Sequence, residues 1–479
     1  MTPTQPRASS ARLLGAASAA LLAVTVALAL GGHDPFGALA VLVAGVGWAV
    51  VMLRSRAREA ALVPAIGDHA RPRRRSLRPS AELIAYLSPV LLLSVAYPIA
   101  TARLTRDSVG GAHLTTLLLA ASVTVPWLTQ SVCLPLYRAV APQLDAGDAD
   151  AVRARLCEVW PSTFLRSLPV VAAFTLAVEL STGWSLPAIG VYVGLCVLYV
   201  AFSQSLVLSI LDRRRLLWAA GWAAFAACLL AAPALWFLPP IAGVATQLLP
   251  LRRHLARLLR PVRLERADVA VDLVRGLILG AVLWADKLLL FVRSGGHFAV
   301  TTVFIALLPA ILVYNYYFVR LAPRFDAMVL ELREGMESEP YSELATRSSD
   351  LSSYVERSLG VTAVAGAALV LAVTAAMELV DYRTVPLVAA VAIASWMFMM
   401  VTLACYKLDY IGRSRLALGY SAVHLAACAV GFSVLPVGPS LYAFLALTEA
   451  ALLLVALRSV SGHWQSSEYN LFWRHATAW

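Results

Sequence analysis

Apolar stretches of about 18 to 25 residues follow one another along nearly the whole chain, each long enough to cross a bilayer at about 1.5 Å per residue. Short polar or Gly/Pro-containing links separate them. The pattern predicts about fourteen transmembrane helices: Leu13–Leu30, Phe36–Leu53, Leu83–Thr101, Ala112–Leu136, Phe164–Leu180, Leu186–Leu211, Leu216–Phe237, Pro239–Leu259, Val271–Val292, Phe298–Val319, Leu359–Leu379, Val385–Cys405, Leu416–Leu435 and Leu441–Leu457. Pro233, Pro239 and Pro240 leave the seventh and eighth open, as a hairpin or as one broken helix. A short surface helix is expected to start near Asp148, ahead of the fifth span, and the acidic stretch Glu334–Ser358 reads as a loop broken at Pro340.

Charge tests the count. With the N-terminus and its Arg7 and Arg12 in the cytoplasm, the Arg-rich stretch Arg54–Arg78, Asp212–Arg215, Leu251–Arg266, Arg324–Arg357 and Lys407–Arg415 all fall inside. Outside lie short links such as GGHDP, STGW, RSGGH and PVGPS, with only Arg103, Arg106, Arg293 and Arg383 among the bases. Such an asymmetry is expected of a multi-pass protein of the cytoplasmic membrane with both termini inside. For the first span the alternative is a signal peptide, since Ala27-Leu28-Ala29 resembles a cleavage site.

Composition agrees with a membrane protein. Of 479 residues, 60% are hydrophobic and 14% charged, and the mean hydropathy is +0.75. The formal charge of +11 follows from the loop arginines and does not call for nucleic acid. Only two lysines occur, Lys287 and Lys407. The six cysteines are scattered without a C-x-x-C, and the histidines without an H-E-x-x-H, so neither a disulfide framework, a metal site nor a cofactor is indicated. No P-loop and no G-x-S-x-G occurs, so the chain does not read as an enzyme.

Polar residues at membrane depth are the candidates for chemistry, since an ionised side chain there costs about 2.5–3.5 kcal/mol on insertion scales. Asp286 and Lys287 are adjacent within GAVLWADKLLLFV. Sequence neighbours point about 100° apart on a helix, so one is expected to face an aqueous cavity and the other a neighbouring helix or the headgroups. The competing reading makes Lys287 a snorkelling interfacial anchor. Glu449 lies deep in the last span and His424 midway along the one before; the two are placed to meet, as a structural pair or on a transport path. In VYNYYFVR, Tyr314, Asn315 and Tyr317 suit either sugar stacking or the ordinary aromatic belt. Gln130 and Gln204 either bridge helices or line a cavity. Asp272 and Arg275 read as interfacial.

The stretch LWADK resembles the W-I-D-K signature of the PelG family, the inner-membrane transporter subunit of Pel-type exopolysaccharide export within the multidrug/oligosaccharidyl-lipid/polysaccharide flippase superfamily. Trp284, Asp286 and Lys287 match and Ala285 replaces a bulky aliphatic. Weaker similarities follow in order: CLPLYRAVAPQLDAGDADAV to a first long cytoplasmic loop, FVRLAPRFDAMV to R-V-E-T-x-F-Y through Arg320 and Phe325, DYIGRSRLAL to a Y-F-D-x-R loop, and SEYNLFWRH to an L-x-Y-x-x-F tail through Tyr469 and Phe472. The family's G-I-G-F-E-L start is missing.

The resemblance implies an all-α, two-lobed flippase-like core of twelve helices: an N-terminal hairpin and Arg-rich loop over 1–81, lobes over 82–266 and 267–460, and a cytoplasmic tail over 461–479. It implies alternating access, with Asp286 and Lys287 beside a central cavity. The substrate would be an exopolysaccharide or lipid-linked glycan. The implied partners are membrane lipids, a cytoplasmic glycosyltransferase and other synthase-complex subunits. The competing readings are an ion-coupled small-molecule exporter on the same fold, and a scaffold that docks a polysaccharide synthase without transporting.

Overall fold

The computed structural model describes residues 79–211, 215–296, 298, 300–336 and 338–476. The hairpin Leu13–Leu53 and the loop Arg54–Arg78 lie outside the described residues. The described chain is almost wholly helical, relieved by one two-stranded hairpin, β1 (Ser108–Val109) and β2 (Ala112–His113). Gly110 and Gly111 turn it at φ of +56° and +85°, a left-handed backbone that side chains disfavour.

The first set of helices comprises α1 (Pro79–Tyr86), α2 (Ser88–Leu104), α3 (Leu114–Asp145), α4 (Ala149–Thr182), α5 (Leu186–Leu211), α6 (Arg215–Ala231) and α7 (Leu238–Leu248). The second comprises α8 (Arg266–Arg293), α9 (Val300–Tyr316), α10 (Ala322–Gly335), α11 (Tyr341–Val380), α12 (Val385–Tyr410), α13 (Ser414–Val434), α14 (Pro439–Trp464) and the short α15 (Ser467–Ala476). Eight helical stretches are long and apolar enough to cross a membrane, and Ser88–Thr101, Arg215–Ala231 and Leu238–Leu251 are shorter apolar ones. The 28-residue α8 is long enough too but carries Asp272, Arg275, Asp286 and Lys287 along its length. Large apolar side chains face outward on the spans, among them Leu176, Leu371, Leu447 and Leu454. The chain is a multi-pass helical membrane protein.

Several boundaries differ from the sequence reading, each for a local reason. The seventh and eighth predicted spans are two helices, with Pro239 and Pro240 opening α7 and Pro250 following its last turn. The surface helix at Asp148 and the fifth span are one 34-residue helix, α4, whose N-cap Asp148 accepts from the amides of Asp150 and Ala151, each at 3.0 Å. The acidic stretch is not a loop, because its polar residues from Tyr341 onward form the first turns of α11. At 40 residues that helix is about 60 Å long, twice the hydrocarbon core, so water can solvate its charged end. Pro323 lacks an amide hydrogen and its ring crowds the carbonyl four residues back. The helix widens there into a π-turn over Tyr317–Leu321 that joins α9 to α10. The C-terminal segment forms a docked helix: Ser467 Oγ lies 2.8 Å from Ser348 Oγ on α11, and Glu468 bonds the same hydroxyl.

The order of neighbours repeats. In the first set α3 packs on α4 and α5, α5 on α7, α6 on α7, and α2 on α6. In the second, α9 packs on α11 and α12, α12 on α14, α13 on α14, and α8 on α13. The sets meet most extensively between α3 and α8. There Gly276 and Gly280 form a G-x-x-x-G stripe against the α3 backbone. A Cβ on Gly276 would fall on the backbone of Ser131 and 2.8 Å from the Gln130 carbonyl; one on Gly280 would stand 2.8 Å from the Trp127 carbonyl. The Trp127 indole donates to the Leu277 carbonyl (2.9 Å) and Ser131 Oγ to that of Leu273 (2.7 Å). Replacing Gly276 with alanine should therefore destabilise the purified protein by about 1–3 kcal/mol. Gly360→Ala, whose Cβ meets nothing within 4 Å, should be near neutral in the same thermal unfolding measurement.

Candidate functional site

Lipid forces the polar residues of α8 inward. Asp286 and Lys287 are 0% and 1% exposed, so both point into packed protein. Lys287 is not a snorkelling anchor, and neither residue faces an open cavity in this conformation. The 100° between their directions is closed by the long lysine stem, which folds back to set Nζ 2.9 Å from Asp286 Oδ2. From there Nζ donates to Ser395 Oγ on α12 at 3.2 Å and lies 5.2 Å from the ring centre of Phe398. Asp286 Oδ1 meets no hydrogen-bond criterion with a described residue, and the Tyr442 hydroxyl of α14 lies close enough to interact with this carboxylate.

Phe398 joins this pair to a second one. Its ring packs edge-to-face with the His424 imidazole at 4.8 Å between centroids. His424 Nδ1 lies 2.8 Å from Glu449 Oε1, and both side chains are 0% exposed. The other imidazole nitrogen faces Cys428 Sγ at 3.4 Å, one helical turn along α13. Asp286, Lys287 and Glu449 all act electrostatically on Cys428. The Asp286–Lys287 pair is neutral as an ion pair. The second pair is neutral only when it holds one exchangeable proton, on the carboxyl or as an imidazolium. Four helices, α8, α12, α13 and α14, thus enclose two carboxyl groups, an amine and an imidazole.

The other predicted residues do not join them. Trp284 is part-buried against the second-half core. Tyr317 is fully buried, and Tyr314 packs at 4.7 Å on Phe318, so neither belongs to an exposed aromatic belt. Asn315 donates to the Ile311 carbonyl of its own helix at 2.8 Å. Gln204 holds the first half together, taking a hydrogen bond from the Trp160 indole (3.0 Å) and giving one to the Val132 carbonyl (2.9 Å). Gln130 is exposed beside Gly280. Asp272 is buried and takes the Arg138 guanidinium of α3 at 3.2 Å across the seam between the halves. Arg275 pairs with Asp409 of α12.

Sequence reasoning missed Lys407. It is 0% exposed, with Nζ 2.9 Å from the Phe325 ring centre and near the rings of Tyr317 and Tyr406. The signal was available in the rarity of lysine: both lysines of the chain are fully buried under aromatic rings. Ser395 and Phe398 carried no signal, since an isolated serine and phenylalanine in an apolar helix are unremarkable in sequence.

The sequence matches no protein-family model and no curated protein. Solved structures similar to this chain include an inward-facing multidrug resistance MATE family transporter of the MOP superfamily, at 9% identity and a TM-score of 0.45 over 82% of this chain and 95% of that one. A MATE in the bent conformation follows at 10% identity and 0.41, covering 98% and 100%. An outward-facing multidrug resistance MATE family transporter gives 10% and 0.34, covering 97% and 99%. Likeness at this level transfers no residue role, substrate or conformational state to this chain.

Removing one member of the buried ion pair should cost more than removing both. Asp286→Asn and Lys287→Met are each expected to lower stability by about 3–5 kcal/mol, and the double variant to recover most of the loss. Thermal unfolding and membrane abundance of the three variants check this; a loss in the double variant equal to the sum of the two single losses would show that the two charges are not coupled.

Proposed function

We propose that the protein is a transporter working by alternating access between two lobes, 82–266 and 267–460. The enclosed Asp286–Lys287/His424–Glu449 cluster is its ion-coupling centre. The observation that carries this reading is the His424–Glu449 contact of 2.8 Å inside a fully buried shell. An ionisable side chain is costly to place at membrane depth, which makes an intramembrane ionisable group a functional candidate by default. The repeated order of neighbours supports the lobes.

The same helix supplies the coupling. Alpha-helix α8 bears Asp286 and Lys287 in the cluster, and Gly276, Gly280 and Asp272 at the seam with α3. When the His424–Glu449 pair loses its proton, the uncompensated charge acts on Asp286 and Lys287 and shifts the preferred seating of α8. The seam to the first half then opens or closes with it. Reciprocally, movement at the seam changes the proton affinity of the cluster.

The substrate class is an exopolysaccharide or lipid-linked glycan, exported across the cytoplasmic membrane with both termini inside. A cytoplasmic glycosyltransferase would be its partner. This part rests on the PelG-like resemblance around Trp284, Asp286 and Lys287.

Full-length protein in proteoliposomes carrying a pH gradient tests the reading, with a fluorescently labelled oligosaccharide and ethidium as alternative probes. Gradient-driven oligosaccharide movement is expected, lost in Glu449→Gln although that protein remains folded. Movement of ethidium alone would replace the glycan with a small cation. Movement of neither probe by folded wild type would leave a synthase-docking scaffold as the better reading.

A further inference from the structure

The segment between α7 and α8 is not a slack connection between the two halves. Residues 249–265 run as a strap along the first turns of α4, tied at many points. The Val262 amide donates to the Glu158 carbonyl (2.9 Å), Ser162 Oγ donates to the Val262 carbonyl (3.0 Å), and Arg166 donates to the Leu264 carbonyl (2.7 Å). Arg257 pairs with Glu158 at 2.5 Å and His254 with Asp150 at 3.1 Å. The strap is amphipathic. Leu251 is fully buried, and Leu255, Leu258 and Leu264 pack on the first-half core. Leu249 and Leu259, by contrast, stand out at 67% and 85% exposed among exposed arginines. Leucines left outside beside guanidinium groups suit the boundary where acyl chains meet headgroups.

Where the strap leaves α7 it borders a cavity of about 410 Å³. The first turns of α4 and α6 and the end of α7 converge here, which places the cavity at a membrane surface. One side is polar: Arg153, Arg252, Arg253 and His254, with Asp150 the only acid among the described residues that line it. The other is apolar: Leu217, Leu249 and Pro250. Arg252 and Arg253 form no ion pair with a described residue, so their charge is available to a ligand. The neighbouring cavity, by contrast, has Asp148, Asp150 and Glu158 set against Arg155 and Arg257, and offers no excess of positive charge.

We propose that the Arg153–Arg252–Arg253–His254 cavity binds a phosphate group, presented by the headgroup of an anionic membrane lipid whose chains pass Leu217 and Leu249. The Arg252 and Arg253 guanidinium groups, beside an acid already paired with His254, select an anion and, through their paired N–H groups, a phosphate. The apolar wall on the same cavity selects an amphiphile over a free ion. This site is distinct from the buried cluster and does not depend on the transport reading.

The test uses full-length protein in detergent, with short-chain phosphatidylglycerol, short-chain phosphatidylcholine and inorganic phosphate as added probes. Phosphatidylglycerol is expected to raise the unfolding temperature and phosphatidylcholine to leave it unchanged. In the Arg252→Gln/Arg253→Gln protein the concentration needed should rise about thirtyfold. Arg260→Gln/Arg263→Gln removes the same charge from the strap outside the cavity and should keep the wild-type response. If inorganic phosphate stabilises as well as the lipid does, the phosphate chemistry stands and its source is a free anion. No stabilisation by either probe, or equal weakening in both double variants, would overturn the site.

Discussion

One face of α8 cannot meet lipid, and much of the architecture follows from that. At 3.6 residues per turn Asp272, Arg275, Asp286 and Lys287 fall within an arc of about 120°, while Val271 and Val274 point outward. The fold answers by surrounding it: α3 covers one side, α13 and α12 the other. The cover is close because Gly276 and Gly280 let the α3 backbone approach without a side chain between. Lipid tails are as apolar as leucine, so burial of greasy surface does little to hold two such helices together. Close backbone contact, the Trp127 and Ser131 hydrogen bonds to α8 carbonyls, and the Arg138–Asp272 pair do so instead.

The same lack of an apolar driving force explains where the other polar residues went. Several buried ones have found specific partners: Gln204 with Trp160, Thr124 with Tyr192 at 2.8 Å, and Ser348 with Ser467. These contacts set register between helices that lipid alone would leave free to slide. The Asp286–Lys287/His424–Glu449 cluster differs in kind, because it concentrates four ionisable groups around one ring, Phe398.

Legibility in the sequence varied with the kind of signal. Periodicity and length marked the spans of α3, α5, α12, α13 and α14, since a spanning helix must be apolar over most of its length. Boundaries failed where helices leave the membrane. Alpha-helix α11 begins in a polar, acidic stretch that hydropathy assigns to a loop, and α4 in a charged one; outside lipid a helix need not be apolar, and its start is marked only by caps such as Asp148 and Pro340. Hydropathy extends the eighth span to Leu259 because leucines are frequent there, but three-dimensional ties to Glu158, Ser162 and Arg166 hold the strap over 249–265 against α4.

From sequence alone came the membrane class, the presence of an acid and a base where neither belongs, and the candidacy of His424 and Glu449. Each rests on the cost of taking a polar group out of water, which depends on residue type and on depth along a span. The sequence could not say that Lys287 would turn back onto its own neighbour, that Phe398 would stand between the two buried pairs, or that Lys407 would lie beneath Phe325. It also could not separate Gln204, which bridges helices, from Gln130, which is exposed. Those outcomes depend on which helices become neighbours and at what rotation. That choice is made by backbone approach at Gly276 and Gly280 and by side chains far apart in the chain, and no local pattern encodes it.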